Sequence, residues 1–132
     1  MPKFQWLTAT LVGLAVSATT LPAWAGANDY EFEAIAKEVR NGPGSELAVR
    51  LIHKPDGKLV EGAVVFKTRL DMAPDNMAGM VAEVAAVSAT EPGVYKFRAD
   101  LTMAGSWALT LQAKVQGEPE TVRGTVVFTA KN

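Results

Sequence analysis

Along most of this chain, apolar and polar residues alternate with a period of two, and no stretch sustains the 3.6-residue period of an amphipathic helix. Leu47, Val49 and Leu51 alternate with Ala48, Arg50 and Ile52. Val64, Phe66, Leu70 and Met72 line up on one face, with Lys67, Arg69 and Asp71 on the other. The cleanest run sets Tyr95, Phe97, Ala99 and Leu101 against Lys96, Arg98 and Asp100. Trp107, Leu109, Leu111, Ala113 and Val115 oppose Thr110, Gln112 and Lys114. Val122, Gly124, Val126 and Phe128 oppose Arg123, Thr125 and Thr129. Two stretches read less sharply. Tyr30–Val39 fits a strand or a helix, and the Ala/Val-rich stretch from Met80 to Val87 has no clear facing.

Turn chemistry separates the runs: Asn41-Gly42-Pro43-Gly44, Pro55-Asp56-Gly57, Ala73-Pro74-Asp75-Asn76, Glu91-Pro92-Gly93, Ala104-Gly105-Ser106 and Gln116-Gly117-Glu118-Pro119. About seven short strands at this spacing predict an all-β, two-sheet antiparallel sandwich, with Trp107 at its centre. A small closed barrel fits the pattern nearly as well. If consecutive strands reverse direction, the turns sort to two poles. One collects residues 41–44, 73–79 and 102–105, and the other 54–61, 88–92 and 117–119.

The first 25 residues belong to a different kind of segment. Lys3 precedes an apolar run from Phe4 to Leu21, then Pro22 and the small-residue pair Ala23-x-Ala25. That pattern predicts a signal peptide cleaved after Ala25, hence a periplasmic domain over residues 26–132. Retention of the run as a membrane anchor is the alternative.

Composition narrows the chemistry. The 132 residues carry 13 Lys+Arg against 14 Asp+Glu, a formal charge of −1 that argues against nucleic acid as a partner. The absence of cysteine removes disulfides, zinc–thiolate sites and thiol catalysis, so stability must come from the core. His53 is the sole histidine. It lies in phase with Leu47, Val49 and Leu51, and reads as a strand-end residue at the pole opposite the methionines. Ser45, Ser88 and Ser106 have no histidine within reach for nucleophile activation. Asp71, Asp75 and Asn76 lack the spacing and closing glutamate of a calcium loop. Glu118 and Glu120 read as solvated. No enzyme emerges.

What remains is sulfur. Beyond Met1 the methionines are Met72, Met77, Met80 and Met103, and all four map to the first pole. Thioethers select Cu(I), or its mimic Ag(I), over hard cations. They bind without losing a proton, so they work in mildly acidic compartments. The competing reading is packing: methionine fills irregular gaps, and Met72 and Met103 continue core-facing rows.

The stretch Asp71-Met72-Ala73-Pro74-Asp75-Asn76-Met77-Ala78-Gly79-Met80, the Gly93-Val94-Tyr95-Lys96-Phe97 strand and the Met103-Ala104-Gly105-Ser106-Trp107 turn resemble the YtkA-like/FixH-like domain family. The resemblance spans roughly Ser45–Ala130. It implies an immunoglobulin-like sandwich, exported or membrane-tethered, associated with heavy-metal efflux or with assembly of copper-containing oxidases. It places a metal role on Met72, Met77, Met80 and Met103 only. Two functions are therefore expected: a Cu(I)/Ag(I)-binding accessory protein serving a heavy-metal efflux adaptor subunit, or a metal-free module that docks on such an adaptor or on an oxidase-assembly complex.

Overall fold

Wherever the alternation is regular, the chain forms strands, because a period of two gives each strand one face to bury and one to leave wet. The computed structural model describes residues 26–132. The leader expected over residues 1–25, and its cleavage after Ala25, lie outside the described residues.

The strands are β1 (Tyr30–Ala34), β2 (Glu38–Arg40), β3 (Gly42–His53), β4 (Lys58–Leu59), β5 (Val64–Met72), β6 (Met77–Ala82), β7 (Val84–Val87), β8 (Val94–Leu101), β9 (Gly105–Lys114) and β10 (Val122–Lys131). One sheet runs β1-β3-β8-β7, with β4 also paired to β3; the other runs β2-β10-β9-β5-β6. The all-β sandwich is as expected, in two separate sheets rather than a closed barrel. Its core joins both sheets: Leu47, Val49 and Leu51 of β3 and Phe97 of β8 meet Trp107, Leu109 and Leu111 of β9 and Phe128 of β10. Trp107 is wholly enclosed. Burying each such large apolar side chain contributes about 1.5–3 kcal/mol.

The expected strand number needs correction: ten are present among the described residues, not about seven. Tyr30–Val39 is strand, not helix, and it divides. β1 pairs antiparallel with β3, and the chain then crosses to the other sheet, where β2 pairs parallel with β10. Thr129 N–H donates to the Lys37 carbonyl and Asn41 N–H to that of Lys131, so neighbouring strands satisfy the backbone that a short helix would have had to satisfy itself. Met80–Val87 divides likewise. β6 ends at Ala82 in one sheet and β7 begins at Val84 in the other, which is why no single facing could be read there. The two-residue β4 lies within what the sequence presents as a turn.

A second correction concerns β5. Val64 and Phe66 do not share the core face of Leu70 and Met72; they are 61% and 51% exposed. The pairing with β9 slips between Val65↔Ala113 and Lys67↔Gln112, so Phe66 is an extra residue in the ladder. Such a bulge reverses the facing of everything on its far side. Nor is Asp71 on an open face, being only 8% exposed.

Gly124 stands among the core-facing positions of β10 because Phe32 fills the space before it. A Cβ there would lie 2.7 Å from the Phe32 ring.

Candidate metal-binding pole

Strand direction brings three segments to one end of the sandwich. β5 arrives there at Met72, β8 arrives at Leu101, and β9 departs at Gly105. The link between β5 and β6 is a single 3-10 turn, Ala73–Asp75, with Pro74 in its first positions and Asn76 closing it at φ 60°. Asparagine tolerates this left-handed conformation better than most residues. Asn76 N–H donates to the Ala73 carbonyl, 2.9 Å.

Asp75 latches this turn to its neighbour. Its Oδ2 accepts from Ser106 N–H at 2.8 Å. Gly105 allows the approach: a Cβ on it would sit 2.6 Å from both Asp75 Oδ2 and the Met72 methyl, and its φ of +142° disfavours side chains. From the core below, Trp107 Nε1–H donates to the Met103 carbonyl at 3.1 Å. The Met-Ala-Gly-Ser-Trp run thus has a physical reading. Glycine admits the opposing turn, and tryptophan ties down the methionine's backbone four residues earlier.

Asp71 anchors the other side. Its Oδ1 accepts from Ala73 N–H at 3.0 Å and its Oδ2 from Arg69 Nε at 2.8 Å. The bond from Ala73 first, and then the Arg69 guanidinium, hold its carboxyl below the ordinary range. Arg69 also reaches the Ala78 carbonyl, 3.2 Å, across the β5–β6 link.

On this scaffold the four methionines divide. Met72 is fully enclosed, packed into the core beneath the turn, whereas Met77, Met80 and Met103 are 36%, 39% and 37% exposed. Met77 pairs with Met72, and Val81, next to Met80, pairs with Asp71; residues 78–80 leave the ladder between those pairs. The three exposed thioethers therefore flank one latched segment, Asp71–Asp75. The carboxylates here are spent on backbone N–H groups and Arg69. Among the described residues, no group of three or more His, Cys, Asp or Glu is placed to hold an ion.

The opposite pole is built differently. His53 Nδ1 meets Asp56 Oδ1 at 3.0 Å, and its ring tilts against Tyr30 with centroids 5.1 Å apart. Lys58 N–H, foremost, and His53 hold the Asp56 carboxyl below the ordinary range. Tyr95 closes the link between β4 and β5, its hydroxyl donating to the Val60 carbonyl at 2.7 Å and accepting from Ala63 N–H at 3.0 Å. Burial pushes its phenol upward. An open groove of ≈560 Å³ lies beside it, lined by Glu61, Val64, Val65, Val87 and Phe97 among others. Nothing in the alternation pattern marked Asp75 or Tyr95 for these roles. The only sequence signal was their place in a turn and in a Gly-x-Tyr-x-Phe strand.

Residues 25–112 match the YtkA-like family model. The chain belongs to the YtkA-like family. No curated protein matches it. Among solved structures it is similar to the ZirS C-terminal domain, with a TM-score of 0.47 and 8% identity, covering 100% of this chain and 80% of that one. In this YtkA-like chain the family match takes in all four methionines, the Asp75 latch and Trp107.

Proposed function

We propose that this YtkA-like domain is a non-enzymatic accessory protein that holds Cu(I) or Ag(I) at the methionine pole. One observation carries this reading: three partly exposed thioethers, Met77, Met80 and Met103, flank a turn held in place by Asp71, Asp75 and Trp107. Soft sulfurs, beside carboxylates already bonded to backbone N–H groups, suit a soft monovalent ion. Met72 forms the floor and keeps the turn seated. Thioether ligands exchange readily, which suits passing the ion by ligand swapping to a heavy-metal efflux adaptor subunit. Cleavage after Ala25 would release the domain into the periplasm.

The second reading is a metal-free docking module, favoured by the sheet edges on this side. β6 and β7 are both edge strands, their residues Met77–Ala82 and Val84–Val87 carry no charge, and Val81 is 52% exposed. The opposite edges carry Glu31, Glu33, Glu38 and Arg40, the charges that discourage strand addition.

A Cu(I) competition titration separates the two. Residues 26–132 should bind tighter than about micromolar, and the Met77→Leu/Met80→Leu form at least about tenfold weaker, or roughly 1.4 kcal/mol. Equal affinity, or none, would leave the docking module.

A further inference from the structure

The wet faces of the two sheets differ in charge. On β10, β9 and β5 the outward positions carry Arg123, Lys131, Lys114, Lys67 and Arg69 against one carboxylate, Asp71, and β2 beside them adds Arg40 and Glu38. Asp71 is already committed to Arg69 and to Ala73 N–H. Lys67, Lys114 and Arg123 make no ion pair among the described residues. Two pairs lie within this sheet, Arg69 with Asp71 and Lys131 with Glu38; the outer face of the other sheet pairs Arg50 with Glu33 and Lys96 with Glu46, and sets Arg98 beside Glu31 and Asp100. A chain with a formal charge of −1 thus presents one basic wall.

At one end of that wall the β5 bulge turns apolar groups outward. Phe66 and Val64 are 51% and 61% exposed, and Lys114 Nζ lies 5.9 Å from the Phe66 ring centroid. Val64 also borders the open groove beside Tyr95, whereas Phe66, Lys67, Lys114 and Arg123 lie on the sheet face outside its lining. An exposed sheet face suits a planar partner.

We propose that this face docks on an anionic phospholipid bilayer. Lys67, Lys114 and Arg123 meet the headgroups, and Phe66 with Val64 enters the interface. Lysine stems lie along the apolar surface while their ammonium groups reach the phosphates, and each cation near such a surface adds to the attraction. Release of the bulged Phe66 from the ladder is what makes it available. A Phe66 kept in register would alternate with its neighbours instead of projecting beside Lys67.

Among the described residues, 26–132, two sheets close on a shared hydrophobic core, and this segment is the form to test. It is sedimented with vesicles of phosphatidylcholine alone and with vesicles of equal parts phosphatidylcholine and phosphatidylglycerol. Partition onto the anionic vesicles should exceed the neutral case by about tenfold or more and weaken as salt is raised. Lys67→Glu/Lys114→Glu/Arg123→Glu should abolish the preference, and Phe66→Ser should weaken binding several-fold, with the thermal midpoints of both kept because every changed side chain is exposed. Arg98→Glu, on the other sheet, should change nothing. Equal partition onto both vesicle types, partition onto neither, or retention by the triple reversal overturns the proposal. So does capture by poly-glutamate but by neither vesicle, which would assign the face to acidic proteins. The Met77→Leu/Met80→Leu form should partition unchanged, so failure here is distinct from failure of the metal reading.

Discussion

The two poles of the sandwich close their turns by the same device, a side chain bonded to the backbone, and present opposite chemistry. At the methionine pole Asp71, Asp75 and Trp107 bind backbone groups from below and beside, and three thioethers are left facing outward. At the other pole Tyr95 and Asp56 hold the backbone, and His53 is itself drawn into the network through Asp56 and Tyr30. At the methionine pole Asp71 and Asp75 each accept from a backbone N–H, whereas at the other pole His53 Nε2 is left without a hydrogen-bond partner.

Trp107 serves the core and the methionine pole at once. Trp107→Ala should cost about 3–5 kcal/mol in denaturant titration. Trp107→Phe keeps most of the packing but frees the Met103 carbonyl, and should cost about 1 kcal/mol. A smaller loss for alanine than for phenylalanine would contradict the assignment.

Glycines sharpen it next. Gly105→Ala drives a methyl into Asp75 and Met72, and should cost about 1–3 kcal/mol and loosen the turn. Gly57→Ala, at the other pole, meets no atom within 4 Å and should cost only about 1 kcal/mol for its positive φ. Equal losses would mean the Asp75 latch matters little. Tyr95→Phe removes the partner of two backbone groups and should cost about 1 kcal/mol, leaving Cu(I) affinity unchanged.

The smallest effect is the pH dependence of Asp71. Its carboxyl titrates below its unfolded value of 3.8, so its contribution is complete above that value and is lost as pH falls through the folded one. Denaturant midpoints taken from about pH 5 down to about pH 2 should fall less steeply for Asp71→Asn than for the natural chain. Parallel acid limbs would refute this.

Much of the fold could be read because its central strands are regular. β3, β8, β9 and β10 bury the alternating residues that the pattern marks, and the reversal of strand direction puts residues 73–79 and 102–105 at one end. The pattern failed where a strand departs from one face. A single extra residue at Phe66 reversed Val64 without leaving a trace in composition. Residues 30–40 and 77–87 change sheets midway, so their periodicity mixes two orientations. Which methionine is core and which is exposed was also hidden. Met72 and Met103 both continue core rows, yet only Met72 lies between the sheets; Met103 sits two residues past the end of β8, where the turn carries it out. The Asp75 latch depends on contact between residues thirty-one apart, beyond the reach of any local motif.

The most direct test is an Ag(I) titration of residues 26–132 carrying carbon-13 methionine methyls, followed by NMR. Silver is redox-silent and bound through the same soft donors as Cu(I). Saturable shifts of the Met77, Met80 and Met103 methyls together are expected, with Met72 moving less and His53 unchanged. Shifts at His53 in place of the methionines, or a Met103 methyl that ignores silver while Met77 and Met80 respond, would contradict it.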